Sequence, residues 1–223
     1  MGLESSHRRF AREEDMTRPT REAWSQWWGG NEPDAIAEEI LGSGAIADLV
    51  GCRFDALSLT ERRKHKSAPL LEWAPVGCIG ACHTEPHTCR ELAEILGYSV
   101  SHVRQAVRQA VAEGALRREG TLILPTTWRP AAKCLISVEL KLRDWRRALR
   151  QAESYGDWSD KVWIVMGQSV PDPLIEACRQ SGFGLALLTH SFDILVEPTL
   201  REPDPWHPAR LLAGEQIIAQ VRP

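Results

Sequence analysis

Glu139 and Lys141 stand two residues apart inside an apolar run, Leu135-Ile136-Ser137-Val138-Glu139-Leu140-Lys141-Leu142. In a strand, residues two apart share a face and lie about 7 Å from one another. A carboxylate and an ammonium on one face of a buried strand are costly unless they pair or hold a ligand. A salt bridge at a sheet edge would satisfy them. So would phosphodiester hydrolysis, in which a carboxylate binds a hard cation such as Mg²⁺ or Mn²⁺ and an ammonium stabilises the developing charge. Gln151 and Tyr155, four apart, share one face of the helix that follows. Asp55 offers a second carboxylate. In Phe54–Thr60, read as a strand, Asp55, Leu57 and Leu59 share one face, so Asp55 ends an apolar row and needs a partner or a ligand.

A second group of residues suits polyanion contact. Residues 101–150 carry 11 Lys and Arg against 4 Asp and Glu, a basic island between acidic flanks. Thr88 and Glu91 fit a capping box, with Leu92, Ile95 and Leu96 along one side of a short helix ended by Gly97. Ser99 caps a second helix with Val103, Val107, Ala110 and Val111 as its buried stripe, ended by Gly114. Leu116–Leu124 reads as a hairpin turning at Glu119-Gly120. Ser101, His102, Arg104, Gln105 and Arg108 lie off the stripe, and Arg117 and Arg118 lie in the hairpin. Their hydrogen-bonding groups match phosphates and base edges. A face used only for protein contact is the alternative.

These groups must be positioned by alternating strands and helices. Strands are expected at 135–142, 162–166, 185–189 and 192–196, and helices at 144–155 and from Asp172 through Arg179, which implies a mostly parallel sheet with helical crossovers. Upstream, Trp24, Trp27 and Trp28 fall on one helical face, residues 33–41 read as a short helix, and residues 44–60 as two short strands around Gly51. Arg62–Lys66 reads as a charged loop and Trp206–Ile218 as a surface helix. Arg143, Arg146, Arg147 and Arg150 add positive charge after the lysine strand.

Two resemblances follow from these runs. Residues 88–125 resemble a winged helix-turn-helix, whose second helix would be the recognition helix in a DNA major groove. The runs FDALSL and ISVELKLRDWRRALRQAESY resemble the PD-(D/E)XK, or restriction-endonuclease-like, superfamily. That resemblance implies an α/β fold with a mixed sheet flanked by helices. It implies Asp55 and Glu139 as ligands of Mg²⁺, Lys141 as the catalytic lysine, and Gln151 and Tyr155 as a Gln-x-x-x-Tyr motif. It also implies an assisting Glu from the first helix, a place open to Glu38 or Glu39. The expected organisation is a helical or flexible segment at 1–30, a nuclease-like core at 31–66 and 131–223, and an inserted winged helix at 67–130.

Cys78, Cys82, His83, His87 and Cys89 lie within twelve residues. A structural zinc at Cys78 and Cys82 is one reading, and buried cysteines with loop histidines is the preferred one. Six cysteines in 223 residues are too sparse for a disulfide scaffold. No window is apolar enough to span a membrane, and the polar N-terminus lacks a signal-peptide core, so a cytoplasmic protein is expected. The expected function is Mg²⁺-dependent DNA hydrolysis, with a homodimer plausible because two cuts need two sites. The alternatives are a non-catalytic DNA-binding regulator that retains a nuclease-like fold, and a recombination or mobile-element component that acts with a partner.

Overall fold

The computed structural model describes residues 10–221, so residues 1–9 of the expected N-terminal segment lie outside the described residues. A 3-10 turn (Glu13–Met16) leads into α1 (Thr17–Glu22) and α2 (Trp24–Trp28), which ends at Gly29 in the left-handed conformation. There follow β1 (Ala35–Leu41), β2 (Ile46–Phe54), α3 (Ala56–His65), α4 (Trp73–Cys82), β3 (His87–Thr88), α5 (Cys89–Leu96) and α6 (Val100–Ala112). Then come β4 (Leu116–Glu119), β5 (Leu122–Pro125), β6 (Ala132–Lys141), α7 (Trp145–Tyr155), β7 (Lys161–Met166), α8 (Asp172–Ser181), β8 (Gly184–Leu188), β9 (Phe192–Val196) and α9 (Pro208–Val221). The described chain forms two compact units. One takes residues up to Gly51 with Leu135–Glu202, and the other takes Cys52–Cys134 with residues from Pro203 on.

The first unit is built on a mixed six-stranded sheet of order β1-β2-β6-β7-β8-β9, flanked by helices. β6, β7 and β8 run parallel, and α7 and α8 supply the crossovers that parallel neighbours require. β9 returns antiparallel to β8 at the edge. β6 is buried from Leu135 to Lys141, and β7 from Val162 to Met166. Burial on both faces explains why these strands read as continuous apolar runs. Asp144 caps α7 by accepting from the Arg147 amide, which starts the helix just past the lysine strand. Trp27 and Trp28 close over β2 so tightly that a side chain at Gly51 would meet their rings at 2.7–2.9 Å.

The second unit packs α4 against α6 and α9, beside a three-stranded antiparallel sheet of order β3-β5-β4. Thr88 and Glu91 form the capping box of α5, Gly97 ends that helix at φ 70°, and Ser99 caps α6. Arg62 of α3 is buried and its two terminal nitrogens bond both oxygens of Glu215 on α9, at 2.9 and 2.5 Å.

Several expectations are corrected. Residues 35–41 form a strand, not a helix. Glu39 takes φ 54° there, so Glu38 and Glu39 both face out before Ile40 returns inward, and that slip mimics helical spacing. Residues 56–65 form a helix, not a strand and a charged loop, because Asp55 caps its start. Helix α9 is a buried element of its unit, not a surface helix. Ala106 joins the buried stripe of α6, whereas Val111 is 37% exposed. The division into units also differs from the expected one: α3 and α9 belong with the helices of residues 67–130. Among the described residues no helix is long and apolar enough to cross a membrane.

Candidate functional site

The parallel register sets Glu139 opposite Ile164 and Lys141 opposite Met166, toward the C-terminal ends of β6 and β7. Both charged side chains are buried there. Three oxygens surround the Lys141 ammonium: Glu139 Oε1 at 2.8 Å, Glu13 Oε2 at 3.1 Å, and the Leu140 carbonyl at 2.9 Å. Glu139 Oε1 lies off the line of a hydrogen bond, so this contact is an ion pair without hydrogen-bond geometry. Asp48 comes in from β2, where its Oδ2 accepts the Leu140 amide at 2.6 Å. Tyr155 of α7 reaches Glu139 Oε2 at 2.5 Å and the Ile46 carbonyl at 2.7 Å. Gln151, one turn earlier on α7, acts on the Tyr155 hydroxyl and opposes its upward shift, while its Oε1 accepts from Arg147 Nε at 3.2 Å.

The carboxylates of Glu13, Asp48 and Glu139 outnumber the ammonium of Lys141, and the electrostatics follow. Burial and then the Asp48 charge push the Glu139 carboxyl up to about 7, against the pull of Lys141 and Tyr155. Burial also raises Asp48, with Glu13 and Glu39 repelling its charge, although the Leu140 amide and Lys141 oppose the shift. Burial works against the Lys141 ammonium, but Glu139, Asp48 and Glu13 outweigh it and hold the group above its ordinary value. Burial and Glu139 raise the Tyr155 hydroxyl in turn. Tyr155 has one proton and two acceptors. Both contacts are hydrogen bonds at once when Glu139 is protonated and donates to Tyr155 while Tyr155 donates to Ile46. Around the buried Glu139–Lys141 pair, the surplus of carboxylate comes from half-buried Asp48 and Glu13, and it can be relieved by a proton, by a cation or by solvent.

Among the described residues no group of three or more His, Cys, Asp or Glu is placed to hold a metal by itself. Mg²⁺ does not need one: it is usually held by one or two carboxylates, with water and phosphate oxygens completing its shell. Asp48 and Glu139 are hard oxygen donors in a cluster with surplus negative charge, and that donor chemistry fits the cation.

Glu139, Lys141, Gln151 and Tyr155 of the predicted set are brought together. Asp55 is not among them. It belongs to the helical unit, where its Oδ1 accepts the Ser58 amide at 2.7 Å and caps α3. The aspartate that lies beside the Glu139 strand is Asp48, an acid between buried Ala47 and Leu49 in an apolar strand. That is the signal that singled out Glu139, and it would have found Asp48. Glu38 and Glu39 lie on a strand rather than a first helix, and Glu38 pairs with Arg21 at 3.0 Å. A second glutamate beside the lysine is Glu13, a contact 128 residues apart in sequence that no local pattern reveals.

In the helical unit Ser101, His102, Arg104, Gln105 and Arg108 are all exposed on α6. His102 stacks on Tyr98 with ring centroids 4.8 Å apart. In the hairpin Arg117 pairs with Glu119, and Arg118 Nε donates to the Gly120 carbonyl at 2.9 Å. Cys78 and Cys82 are buried on α4, and burial pushes their thiols up to about 12 and about 11, away from the thiolate that zinc binds. No protein-family model, curated protein or solved structure matches this chain.

Proposed function

We propose that this chain is a divalent-cation-dependent DNA nuclease of the PD-(D/E)XK type, carrying a winged helix-turn-helix that docks it on duplex DNA. The observation that carries the reading is the Lys141 ammonium held between Glu139 and Glu13, with Asp48 alongside and Tyr155 and Gln151 behind Glu139. Asp48 and Glu139 would hold Mg²⁺ or Mn²⁺. When bound, the cation would neutralise phosphate charge and lower the pKa of a coordinated water.

The chain's own residues set the rest. Lys141 stays charged, so it acts as a donor rather than a base, orienting the attacking water or stabilising the phosphorane oxygens. Water adds to phosphorus and the P–O ester bond breaks, leaving a phosphate monoester and an alcohol. Glu13 positions the ammonium, and Tyr155 with Gln151 fixes the Glu139 carboxylate. On the helical unit, Ser101, His102, Arg104, Gln105 and Arg108 form the groove-facing surface of α6, with Arg117 and Arg118 in the wing.

Cleavage of supercoiled plasmid and branched DNA with Mg²⁺ or Mn²⁺ tests this. Wild-type protein is expected to cut, and Lys141→Ala and Glu139→Ala to lose at least about 100-fold in rate. Arg104→Ala with Arg108→Ala should weaken duplex binding and reduce the salt slope by about 2.

A second reading rests on a separate observation: the Lys141 ammonium already has Glu139, Glu13 and the Leu140 carbonyl around it, which a purely structural cluster would also provide. On that reading the chain is a DNA-binding regulator, alone or within a recombination or mobile-element assembly, that retains the fold without the chemistry. Salt-sensitive DNA binding with neither cleavage nor stabilisation by divalent cation would establish it.

A further inference from the structure

The helical unit contains a cleft of about 600 Å³ that the metal chemistry does not use. His83, Trp128 and Trp206 line one kind of wall, and Arg129, Lys133 and Arg210 line another. The rings form a short stack. His83 lies on Trp206 with centroids 3.7 Å apart and planes 15° from parallel, and Trp128 follows at 6.1 Å. Arg62 backs the Trp128 ring at 4.5 Å, which holds it in place. Arg210 is buried, with its Nη2 on the Lys133 carbonyl at 3.2 Å. Asp55 also lines the cleft, but one of its oxygens already accepts the Ser58 amide.

We propose that this cleft binds one unstacked nucleotide, its base added to the Trp206–His83 stack and its phosphate held by Arg129, Lys133 and Arg210. The volume falls within the range of about 300–1,000 Å³ typical of small-ligand sites. Aromatic side chains accept any base because every base has a π-face, and adjacent cations track the phosphate. The cations reject positively charged aromatic ligands, and the rings give purely aliphatic anions nothing to stack on. A free nucleotide and an unpaired nucleotide in a strand present the same base and phosphate. This inference does not rest on the metal site of the sheet unit, and its test is done with that site stripped of cation.

The test is fluorescence anisotropy of a labelled 12-mer of deoxythymidine with the full-length chain in EDTA. A 12-mer with abasic positions serves as control. The base-bearing strand is expected to bind at least 5-fold tighter than the abasic one. Trp206→Ala should erase that preference through a loss of about 5- to 150-fold, and Trp206→Phe should keep most of it. Arg129→Gln with Lys133→Gln, both at exposed positions, should weaken both strands without altering the circular dichroism melting curve. Competition by millimolar thymidine monophosphate would assign the site to a single nucleotide. Persistence of a Trp206-dependent base preference without competition would assign it to a strand. Equal binding of base-bearing and abasic strands, or a preference unmoved by Trp206→Ala in a folded variant, would overturn the proposal. Loss of cleavage in Glu139→Ala with strand binding intact separates this result from the nuclease reading.

Discussion

Arg62 with Glu215 in the helical unit, and Lys141 with Glu139 in the sheet unit, are buried ions of the same signs in opposite circumstances. Arg62 meets Glu215 with two parallel bonds, Ser58 takes its Nε, and the Leu70 amide bonds Glu215 at 3.0 Å. That set is balanced in charge and well supplied with partners. Around Lys141 the carboxylates are in excess, one oxygen of Glu139 lacks hydrogen-bond geometry, and protonation is displaced on several groups at once. A closed and neutral set serves architecture. A set with surplus charge favours a further proton or cation, and perturbed ionisation of that kind clusters at functional sites.

Removing one partner should expose the largest difference. Glu215→Ala leaves a buried guanidinium without its carboxylate and should cost about 3–5 kcal/mol in urea unfolding. Arg62→Met with Glu215→Leu should recover most of that and retain DNA cleavage. The parallel exchange, Lys141→Met with Glu139→Leu, should leave a stable protein with no cleavage. If the first exchange abolished cleavage and the second spared it, the contrast drawn here would be reversed.

Acidity gives the next effect. Folded Glu139 keeps its proton up to about pH 7, whereas the unfolded chain releases it near 4.5. Between these values the folded state binds more protons, so metal-free stability falls as pH rises, by up to about 3 kcal/mol. The half-buried Asp48 pushes in the same direction. Lys141 stays charged throughout this window. Denaturant melts from pH 4.5 to 8 should show the decline in wild type and a much flatter profile in Glu139→Gln. Addition of Mg²⁺ at pH 8 should restore stability to the wild type alone.

Tyr155→Phe removes the hydroxyl that bonds both Ile46 and Glu139 and should cost about 1–3 kcal/mol by chemical denaturation. Asp55→Ala should cost about 1 kcal/mol through the lost cap of α3 and leave metal-induced stabilisation intact. A loss of that stabilisation in Asp55→Ala would return Asp55 to the ligand set.

The parts legible in the sequence are those with local causes. Helices α5 and α6 announce themselves through the Thr88–Glu91 box, the Ser99 cap and the Gly97 stop. The parallel strands announce themselves as apolar runs separated by amphipathic helices. Glu139, Lys141, Gln151 and Tyr155 are close in sequence because one strand and its crossover helix carry them all. What escaped has non-local or misleading causes. The slip at Glu39 gave a strand the spacing of a helix. Helix α4 is apolar on nearly every side, so it has no period to detect. The alternation in Phe54–Thr60 hid a helix whose only overt signal was its cap, and that cap drew attention as a metal ligand instead. Glu13 meets Lys141 only through the tertiary fold.

The interleaved chain has a consequence for biosynthesis. When β2 leaves the ribosome its neighbour β6 is still some eighty residues from being made, and Trp27 and Trp28 have only part of their cover. The helical segment from Cys52 to Cys134 emerges next, yet the buried helix α9 that packs on α4 and supplies Glu215 is made last of the described elements. Neither unit can complete its packing until the segment of the other that interrupts it has been made. A nascent chain stalled after β8 would present an unpaired Arg62 and an open α4 surface, the kind of half-built core that chaperones bind.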